Sequence, residues 1–371
     1  MDNSYDTECF SAAQGSLGLL GVVIRMALAL QPTVLVSDEN NFDQYSVGET
    51  FSMENNKLKD LVQENMSVEI FWFPFNSISQ CLSQRKQWNP ADDKLWVKKV
   101  NQEVQIEKGP TKPWKLLLKQ LADDVLSTAF SMFSPLIQQL PVLTPIYLNA
   151  AHTVVSKVQQ PHSCVMLPQA IRYQGGIEKL PVYDMEFAFP VKEDFSNVIE
   201  AANVVFHEVK DFLDRDFPGG YFRPFPCPYE AHYPLNIALE MRFMGTSDVL
   251  LCPAYKREHG YSEYTCYMEV LSSAPKDPTD ESMETYIEKW KEFCRKVATR
   301  WMEMDEKPIP HWAKQWQILE LEASNKDIYK YIREAYGDNR INTFKEAMKK
   351  YDPDNMFVNT AFEKVFYPTD A

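Results

Sequence analysis

The clearest hydrophobic pattern lies between residues 181 and 301. Apolar residues occupy alternate positions at 181–189, which is the period of a half-buried strand, and they change to helical spacing at 195–212. Further strands are predicted at 235–244, 249–253 and 264–270, and a second helix at 283–301. This order predicts an α+β fold of the split βαβ, ferredoxin-like type, with an antiparallel sheet and helices on one side.

The remaining hydrophobic positions predict further elements on either side of this region. Residues 68–75 form an apolar, aromatic run typical of a strand, and helical spacing recurs at 113–130, 328–335 and 343–349. The pattern predicts paired strands at 15–36, a loop with one helix at 37–66, and a charged loop at 76–112. No internal repeat is visible in the sequence.

The strand predicted at 235–244 carries a charged pair. Glu240 and Arg242 are two residues apart, so both side chains project from the same face of the strand. Burying a carboxylate and a guanidinium is costly unless they are paired or used. A second segment adds His311 and Lys314 beside a tryptophan. A charged, aromatic-walled site is one interpretation of these residues, and a solvated ion pair is the other.

Composition narrows the class of protein. The chain has 371 residues, of which 45% are hydrophobic and 24% charged, as expected for a globular protein of two to three domains with a large core. Its formal net charge of -14 argues against nucleic acid or an anionic membrane as the main partner. Aromatic residues make up 13% of the chain, which suits an apolar cavity or a large core.

The cysteines and the N-terminal residues bear on compartment and metals. Seven cysteines without regular spacing predict reduced thiols, and no His/Cys group has metal-ligand spacing. The first residues lack the basic region of a signal peptide, and the apolar run at 17–30 is interrupted by Arg25 and too short to span a bilayer. We therefore expect a cytoplasmic protein with no transmembrane segment and no metal site.

Six short motifs follow one another along most of the chain. They are SAAQGSLGLLGVV at 11–23, SVEIFWFPF at 67–75, MEFAFP at 185–190, PLNIALEMR at 234–242, IPHWAK at 309–314 and DPDNMFVN at 352–359. Their order resembles the C-terminal half of the vanillyl-alcohol-oxidase type of FAD oxidases. The resemblance implies a flavoprotein with FAD as cofactor that oxidises a CH–OH group, with oxygen or another electron acceptor.

Two branches of this family share the resemblance. The HWAK run is similar to the sugar-1,4-lactone (D-arabinono- and L-gulono-lactone) and alditol oxidases. The PLN–x3–E–x–R run is similar to the covalent-flavin cholesterol oxidases, as are residues 357–366. The stretch 88–160, which shorter lactone oxidases lack, favours the sterol branch. The substrate expected from the resemblance is therefore a small alcohol: a sugar lactone, a polyol or a sterol.

The resemblance implies roles for the four charged residues. Arg242 would lie near the reactive nitrogen of the flavin and hold the substrate oxygen, while Glu240 would orient Arg242 and the hydroxyl or accept its proton. Lys314 would stabilise negative charge on the reduced ring. His311 would assist as a base, and a structural role capping a turn is the alternative.

Further candidates carry structural alternatives. Asn236 faces the same side as Glu240 by spacing and would hydrogen-bond the substrate, or else satisfy a strand edge. Glu69 is a candidate gate, and Glu186 is assigned to a structural hydrogen bond or ion pair. Candidate wall residues, which are equally core residues by type, are Phe71, Trp72, Phe75 and Trp316. Candidate cofactor contacts are Gly15, Gly18, Gly21 and Asn359.

The motifs divide the chain into three parts. Residues 1–36 resemble the remnant of an FAD-binding domain, 37–330 the substrate-binding cap, and 331–371 a tail that returns to the flavin domain. We expect the chain to work with a flavin-binding domain that this sequence does not contain. The alternative is a non-catalytic binding module that has lost its flavin domain.

Overall fold

The computed structural model describes residues 7–30, 32–84, 86–102, 128, 134–159, 161–171, 181–216, 233–277, 279–319 and 327–368. The helix predicted at 113–130 lies outside these residues, except for position 128. The strands are β1 Leu35–Asn41, β2 Ser67–Trp72, β3 Leu95–Gln102, β4 His162–Met166, β5 Val182–Lys192, β6 Ala238–Gly245, β7 Tyr261–Ser273 and β8 Ile309–Pro310.

The helices precede, interrupt and follow the strands. They are α1 Thr7–Gln14, α2 Val47–Thr50, α3 Lys57–Gln63, α4 Ile78–Gln84, α5 Thr144–Val158, α6 Leu167–Ala170, α7 Ser196–Asp216, α8 Glu284–Met302, α9 Ile328–Tyr336, α10 Asp338–Tyr351 and α11 Thr360–Phe366. None of those within the described residues is long and apolar enough to cross a membrane. The predicted mixture of helices with an antiparallel sheet is confirmed.

All eight strands form one antiparallel sheet in the order β4-β1-β3-β2-β6-β7-β5-β8. Read from its outer edge inward, each half of the sheet has the same order of strands. One half is β4-β1-β3-β2 and the other is β8-β5-β7-β6, which in both cases is the fourth, first, third and second strand of that half. The halves meet where β2 pairs with β6. The fold therefore contains a repeat of topology that the sequence does not show, because the repeat lies in strand pairing and not in residue identity.

One face of the sheet is apolar and covered by long helices. Trp301 of α8 packs edge-on against Phe187 and Phe189 of β5, with ring centroids 5.4 and 5.1 Å apart. Its indole nitrogen donates to the Ala201 carbonyl of α7 at 3.0 Å, so one side chain ties both helices to the sheet. We call this the helix face and the other the open face. Helices are not confined to one side, however, because Val155 of α5 packs with Phe71 on the open face.

A buried carboxylate anchors the turn after β2. Asp93 accepts hydrogen bonds from the indole nitrogens of Trp72 and Trp88, from the backbone of Phe75, and from the backbone and hydroxyl of Ser77. Burial raises the pKa of Asp93 to about 6, against the lowering effect of these hydrogen bonds. Phe75 adopts a left-handed φ of 69°, which the bond to Asp93 helps to hold.

Several predicted elements differ from the structure. The strands and helices predicted at 68–75, 181–189, 195–212, 235–244, 264–270 and 283–301 are confirmed within a few residues, as are the two helices at 328–335 and 343–349. Residues 249–253 form turns instead of a strand. The loop predicted at 76–112 contains α4 and β3. Strand β3 was not predicted because Lys98 and Lys99 interrupt the alternation of apolar and polar residues. Each lysine forms an ion pair with a glutamate on a neighbouring strand.

The paired strands predicted at 15–36 are also wrong. Only Leu35 and Val36 belong to a strand, and most apolar residues of 22–30 are exposed, Val22 at 76% and Ile24 at 95%. A strand requires a neighbour to accept its backbone hydrogen bonds, and no described strand lies beside this segment. Helix α1, just before it, packs against α10. The six cysteines among the described residues are free thiols.

Candidate active site

A row of carboxylates crosses the open face of the sheet. Glu240 on β6 lies opposite Glu269 on β7, which lies opposite Glu186 on β5. Their neighbours along each strand point to the apolar helix face, so all three side chains share the open face. The residues are 3%, 2% and 1% exposed. Adjacent like charges in a buried row are destabilising unless cations or protons balance them.

Arg242 and Lys314 supply the balancing positive charge. The Arg242 guanidinium donates to Glu186 through Nη2 and also reaches Glu269 through Nη2 at 3.3 Å and Glu240 through Nε at 3.4 Å. The Lys314 ammonium contacts Glu269, and Asp184 at 2.8 Å. The structure thus brings together Glu240, Arg242 and Lys314, the three charged residues on which the sequence prediction depends.

The cluster has more carboxylates than cations. Asp184, Glu186, Glu240 and Glu269 face Arg242 and Lys314. Burial raises the pKa of Glu186, and the Arg242 charge opposes this; burial and Glu186 raise the pKa of Glu269. Glu269 and Asp184 raise the pKa of Lys314, against burial, so the ammonium stays charged. This arrangement can hold protons on its carboxylates while it presents two cations.

His311 lies at the edge of the cluster. Nδ1 of its ring is 3.8 Å from Oε2 of Glu186 and accepts the Ala313 backbone N–H at 3.2 Å. Its backbone N–H donates to the Glu186 carbonyl, which continues the pairing of β8 with β5. Burial lowers the pKa of His311, and the Lys314 and Arg242 charges add to this effect. The imidazole is therefore neutral near pH 7, with Nδ1 engaged by the Ala313 N–H.

Beyond β6 the same row becomes aromatic. Phe71 of β2 lies opposite Glu240 and stacks on Trp96 of β3, with ring centroids 4.5 Å apart. Trp96 in turn stacks on Phe42 at 5.2 Å. Glu69 is the register partner of Arg242, but its carboxylate pairs with Lys98 at 3.1 Å. Phe71 and Glu69 thus lie on the open face beside the carboxylate row, and their roles as wall and gate stay predictions.

The other predicted substrate contacts lie elsewhere. Trp72 and Phe75 are buried beside Asp93, and Trp316 is buried against Trp312 and Tyr329, so these three aromatic residues belong to the core. Asn236 does not face Glu240.

The Asn236 amide instead donates to Tyr286 of α8 at 2.8 Å and accepts from the hydroxyl of Ser272 and the backbone of Ser273. The expectation from spacing fails because residue 236 precedes the regular part of β6, which begins at Ala238. The geometry supports a structural role for this amide.

The predicted cofactor contacts have structural roles. A Cβ at Gly15 would lie 2.7 Å from Cγ1 of Val249, so packing requires glycine there. Gly18 and Gly21 have φ values of 80° and 121°, which favour glycine. Asn359 accepts the Phe362 N–H and caps α11. A cofactor role for these four residues stays a prediction.

Sequence reasoning missed part of the cluster. Glu269 and Asp184 were not selected, and Glu186 was assigned only to a structural bond. The available signal was the same as for Glu240: an acidic residue at alternate spacing within an apolar strand. What one sequence could not supply was the register, which sets Glu269 between Glu240 and Glu186.

Comparison with known proteins decides the family. Residues 33–365 match the family described as D-arabinono-1,4-lactone oxidase. The chain belongs to this lactone oxidase family. Its curated relatives include the L-gulonolactone oxidase of Scyliorhinus torazame, 24% identical over 174 residues, which are 47% of this chain and 30% of that protein. The enzyme of Mus musculus is 28% identical over 137 residues, 37% of this chain and 24% of that protein.

Solved structures agree on the fold. A protein described as a solvent-stable cholesterol oxidase superposes with a TM-score of 0.65 at 14% identity, covering 97% of this chain and 64% of that one. A cholesterol oxidase from B. sterolicum superposes with a TM-score of 0.60 at 14% identity, covering 90% of this chain and 60% of that one. The predicted resemblance to flavin oxidases of the lactone and sterol branches is confirmed. Lactone oxidase family proteins are FAD-dependent, and this chain spans less than two thirds of each of these relatives.

Proposed function

We propose that this chain forms the substrate side of an FAD-dependent oxidase that oxidises a CH–OH group of a sugar lactone, polyol or sterol. The observation that carries the proposal is the pair of cations on the open face. Arg242 and Lys314 are each oriented by nearly buried carboxylates, yet each side chain keeps 23% of its surface exposed. Cations fixed in this way and still accessible can act on a bound substrate and cofactor.

The residues of the open face fit the ring end of FAD. The reduced flavin ring is anionic, and the Lys314 and Arg242 charges would stabilise it in a partly desolvated site. When bound, FAD supplies the acceptor for the hydride that leaves the carbon bearing the hydroxyl. Gly15, Gly18 and Gly21 are explained by packing and backbone conformation, so we assign the diphosphate end to a separate flavin-binding domain.

The side chains have distinct tasks in this proposal. Arg242 binds the substrate oxygen and polarises the reacting C–O bond. Glu240, 3.4 Å from Nε of Arg242, holds the guanidinium in place and accepts a hydrogen bond from the hydroxyl. An ionised carboxylate of the cluster accepts the hydroxyl proton, and the neutral His311 ring assists. The excess of carboxylates favours a neutral hydroxylated substrate over an anionic one.

The exposed apolar segment supports a partner domain. Residues 22–30 are apolar except for Arg25 and lack strand partners among the described residues. A flavin-binding domain that pairs with this segment would remove its apolar surface from water. We assign 1–36 to the edge of that domain, 37–330 to a cap of two ferredoxin-like halves, and 331–371 to a tail, because α1 packs against α10.

The alternative function is a non-catalytic binding module. Its supporting observation is that Gly15, Gly18 and Gly21 have packing and backbone roles, so none of these described residues is assigned to the diphosphate of FAD. A module of this kind would keep the cations of the open face and bind an alcohol without oxidising it. Flavin binding separates the two functions, since only the oxidase retains FAD after gel filtration, either alone or together with a flavin-binding domain.

The deciding experiment combines flavin binding with turnover. The chain is mixed with FAD, its absorption spectrum recorded after gel filtration, and oxidation of sterols and sugar lactones followed by hydrogen peroxide release. Arg242→Met and Lys314→Met are each expected to lower kcat by about 10²–10³-fold. Matched surface variants, Arg300→Met and Lys291→Met, lose only exposed ion pairs and keep wild-type turnover. Full turnover in Arg242→Met and Lys314→Met would refute the assignment.

A further inference from the structure

Glu186 is the most deeply buried carboxylate of the cluster, yet only one of its oxygens accepts a hydrogen bond. Oε1 receives Nη2 of Arg242, whereas Oε2 has no hydrogen-bond donor among the described residues. A buried, ionised oxygen without a donor is costly. A protonated carboxyl differs because its O–H can point toward an acceptor. The nitrogen Nδ1 of His311 lies on that side, 3.8 Å from Oε2.

The facing nitrogen is itself an acceptor. Nδ1 of His311 accepts the Ala313 N–H at 3.2 Å, so the neutral ring carries its proton on Nε2. Oε2 and Nδ1 are therefore two acceptors 3.8 Å apart, and a proton on Oε2 removes the repulsion between them. The ring is held in this position by the backbone bond of His311 to Glu186 and by edge-on contact with Tyr267 at 5.7 Å.

The surrounding charges also favour a proton. Glu186 is faced by Asp184 from its own strand, Arg242 and Glu240 from β6, Glu269 from β7, and Lys314 and His311 from the segment after β8. Cys266 and Tyr267 of β7 are neutral, since burial raises the pKa of each. Four carboxylates thus share two cations. Burial, opposed by Arg242, raises the pKa of Glu186.

We propose that Glu186 carries a proton at neutral pH and that Glu186 and His311 form the proton exit of this site. The origin of the proton, the substrate hydroxyl, rests on the proposed function. A carboxylate of the cluster takes up the hydroxyl proton, and the Glu186 proton moves from Oε2 to Nδ1 of His311 as Nδ1 gives up its hydrogen bond from the Ala313 N–H.

His311, whose side chain is 32% exposed, then releases its Nε2 proton to water. One proton enters the cluster from the substrate and one leaves it to water, so the cluster gains no charge. The protein side chains are neither oxidised nor reduced. Transfer requires Oε2 and Nδ1 to approach from 3.8 Å to hydrogen-bond distance.

Two measurements test the protonation without turnover. The infrared spectrum of the purified chain at about pH 8, above the pKa of Asp93, is expected to contain a neutral carboxyl band that Glu186→Gln removes and His311→Gln shifts. In an NMR titration of the six histidines, Glu186→Gln is expected to change the pKa of His311 by less than about 0.3 unit. Glu269→Gln, which removes a full charge, should lower that pKa further.

The absence of a carboxyl band in the wild type, or a fall of about one unit in the pKa of His311 in Glu186→Gln, would overturn the proposal. Should Glu186→Gln fail to fold, the wild-type band and its shift in His311→Gln still decide. These outcomes do not depend on flavin or substrate, so they remain separate from a failure of the proposed oxidase activity.

A third measurement tests the exit itself in the flavin-loaded protein. Flavin reduction and proton release to an indicator dye are followed together after rapid mixing with substrate. In His311→Gln, proton release is expected to lag reduction by about tenfold. His207→Gln, a variant at the exposed surface of α7, should behave as wild type. Release that keeps pace with reduction in His311→Gln would overturn the exit.

Discussion

Replacing Asp93 with asparagine should destabilise the fold by several kcal/mol. Oδ1 of Asp93 accepts from Ser77, through its backbone and hydroxyl, and from Trp88, while Oδ2 accepts from Trp72 and Phe75. The asparagine amide has one acceptor oxygen only. Its best orientation keeps that oxygen at the Oδ1 position and turns its NH2 group toward the two donors at Oδ2.

The magnitude follows from those two donors. The indole N–H of Trp72 and the backbone N–H of Phe75 would both be buried without an acceptor. Each unsatisfied buried donor costs about 1–3 kcal/mol, so the two donors lower the free energy of unfolding of Asp93→Asn by about 2–6 kcal/mol, which relief from burying the Asp93 charge only partly offsets. Phe75, with its left-handed φ of 69°, would also lose a contact that holds its conformation.

The assay is urea unfolding at about pH 8, where Asp93 is ionised, followed by tryptophan fluorescence. Asp92→Asn is the matched control, because the carboxylate of Asp92, next to Asp93 in sequence, makes only an exposed ion pair with Lys86. The control should change the free energy of unfolding by less than about 0.5 kcal/mol. A loss below about 1 kcal/mol in Asp93→Asn would refute the reasoning from hydrogen-bond count.

Three further predictions concern stability. Burial lowers the pKa of His152, so the fold favours the neutral ring and loses stability as pH falls below about 6.5; His152→Phe should flatten urea midpoints measured against pH. Trp301→Ala should lower the free energy of unfolding in urea by about 3–5 kcal/mol, and a loss under about 1 kcal/mol would contradict the role of Trp301 in joining the two helices to the sheet. Gly15→Ala should lower the melting temperature through contact with Val249, whereas Gly245→Ala, in open space, should not.

The sequence was informative where a pattern is local. Alternation predicted β5, helical spacing predicted α7 and α8, and a period of two predicted that Glu240 and Arg242 share a face. Each of these follows from the geometry of one strand or helix, which neighbouring residues determine. The motifs also predicted the family to which the chain belongs.

The local pattern was insufficient where contacts with a distant part of the chain determine the conformation of a segment. Residues 15–34 have the composition of strands but no described partner to pair with, and β3 pairs across the sheet despite its two lysines. Asn236 follows the period of Glu240 in the sequence yet bonds Tyr286, because the strand begins only at Ala238. In each case the deciding interaction joins residues distant in sequence.

The sequence alone determined the chemical types available to this site: two cations, a histidine, and acidic residues at alternate positions of apolar strands. The tertiary structure decided that Glu186, Glu240 and Glu269 form one row and that Arg242 reaches all three. It also decided the repeated strand order. The physical reason is register: strand pairing is selected by burial of the whole apolar face, and no single strand encodes its neighbours.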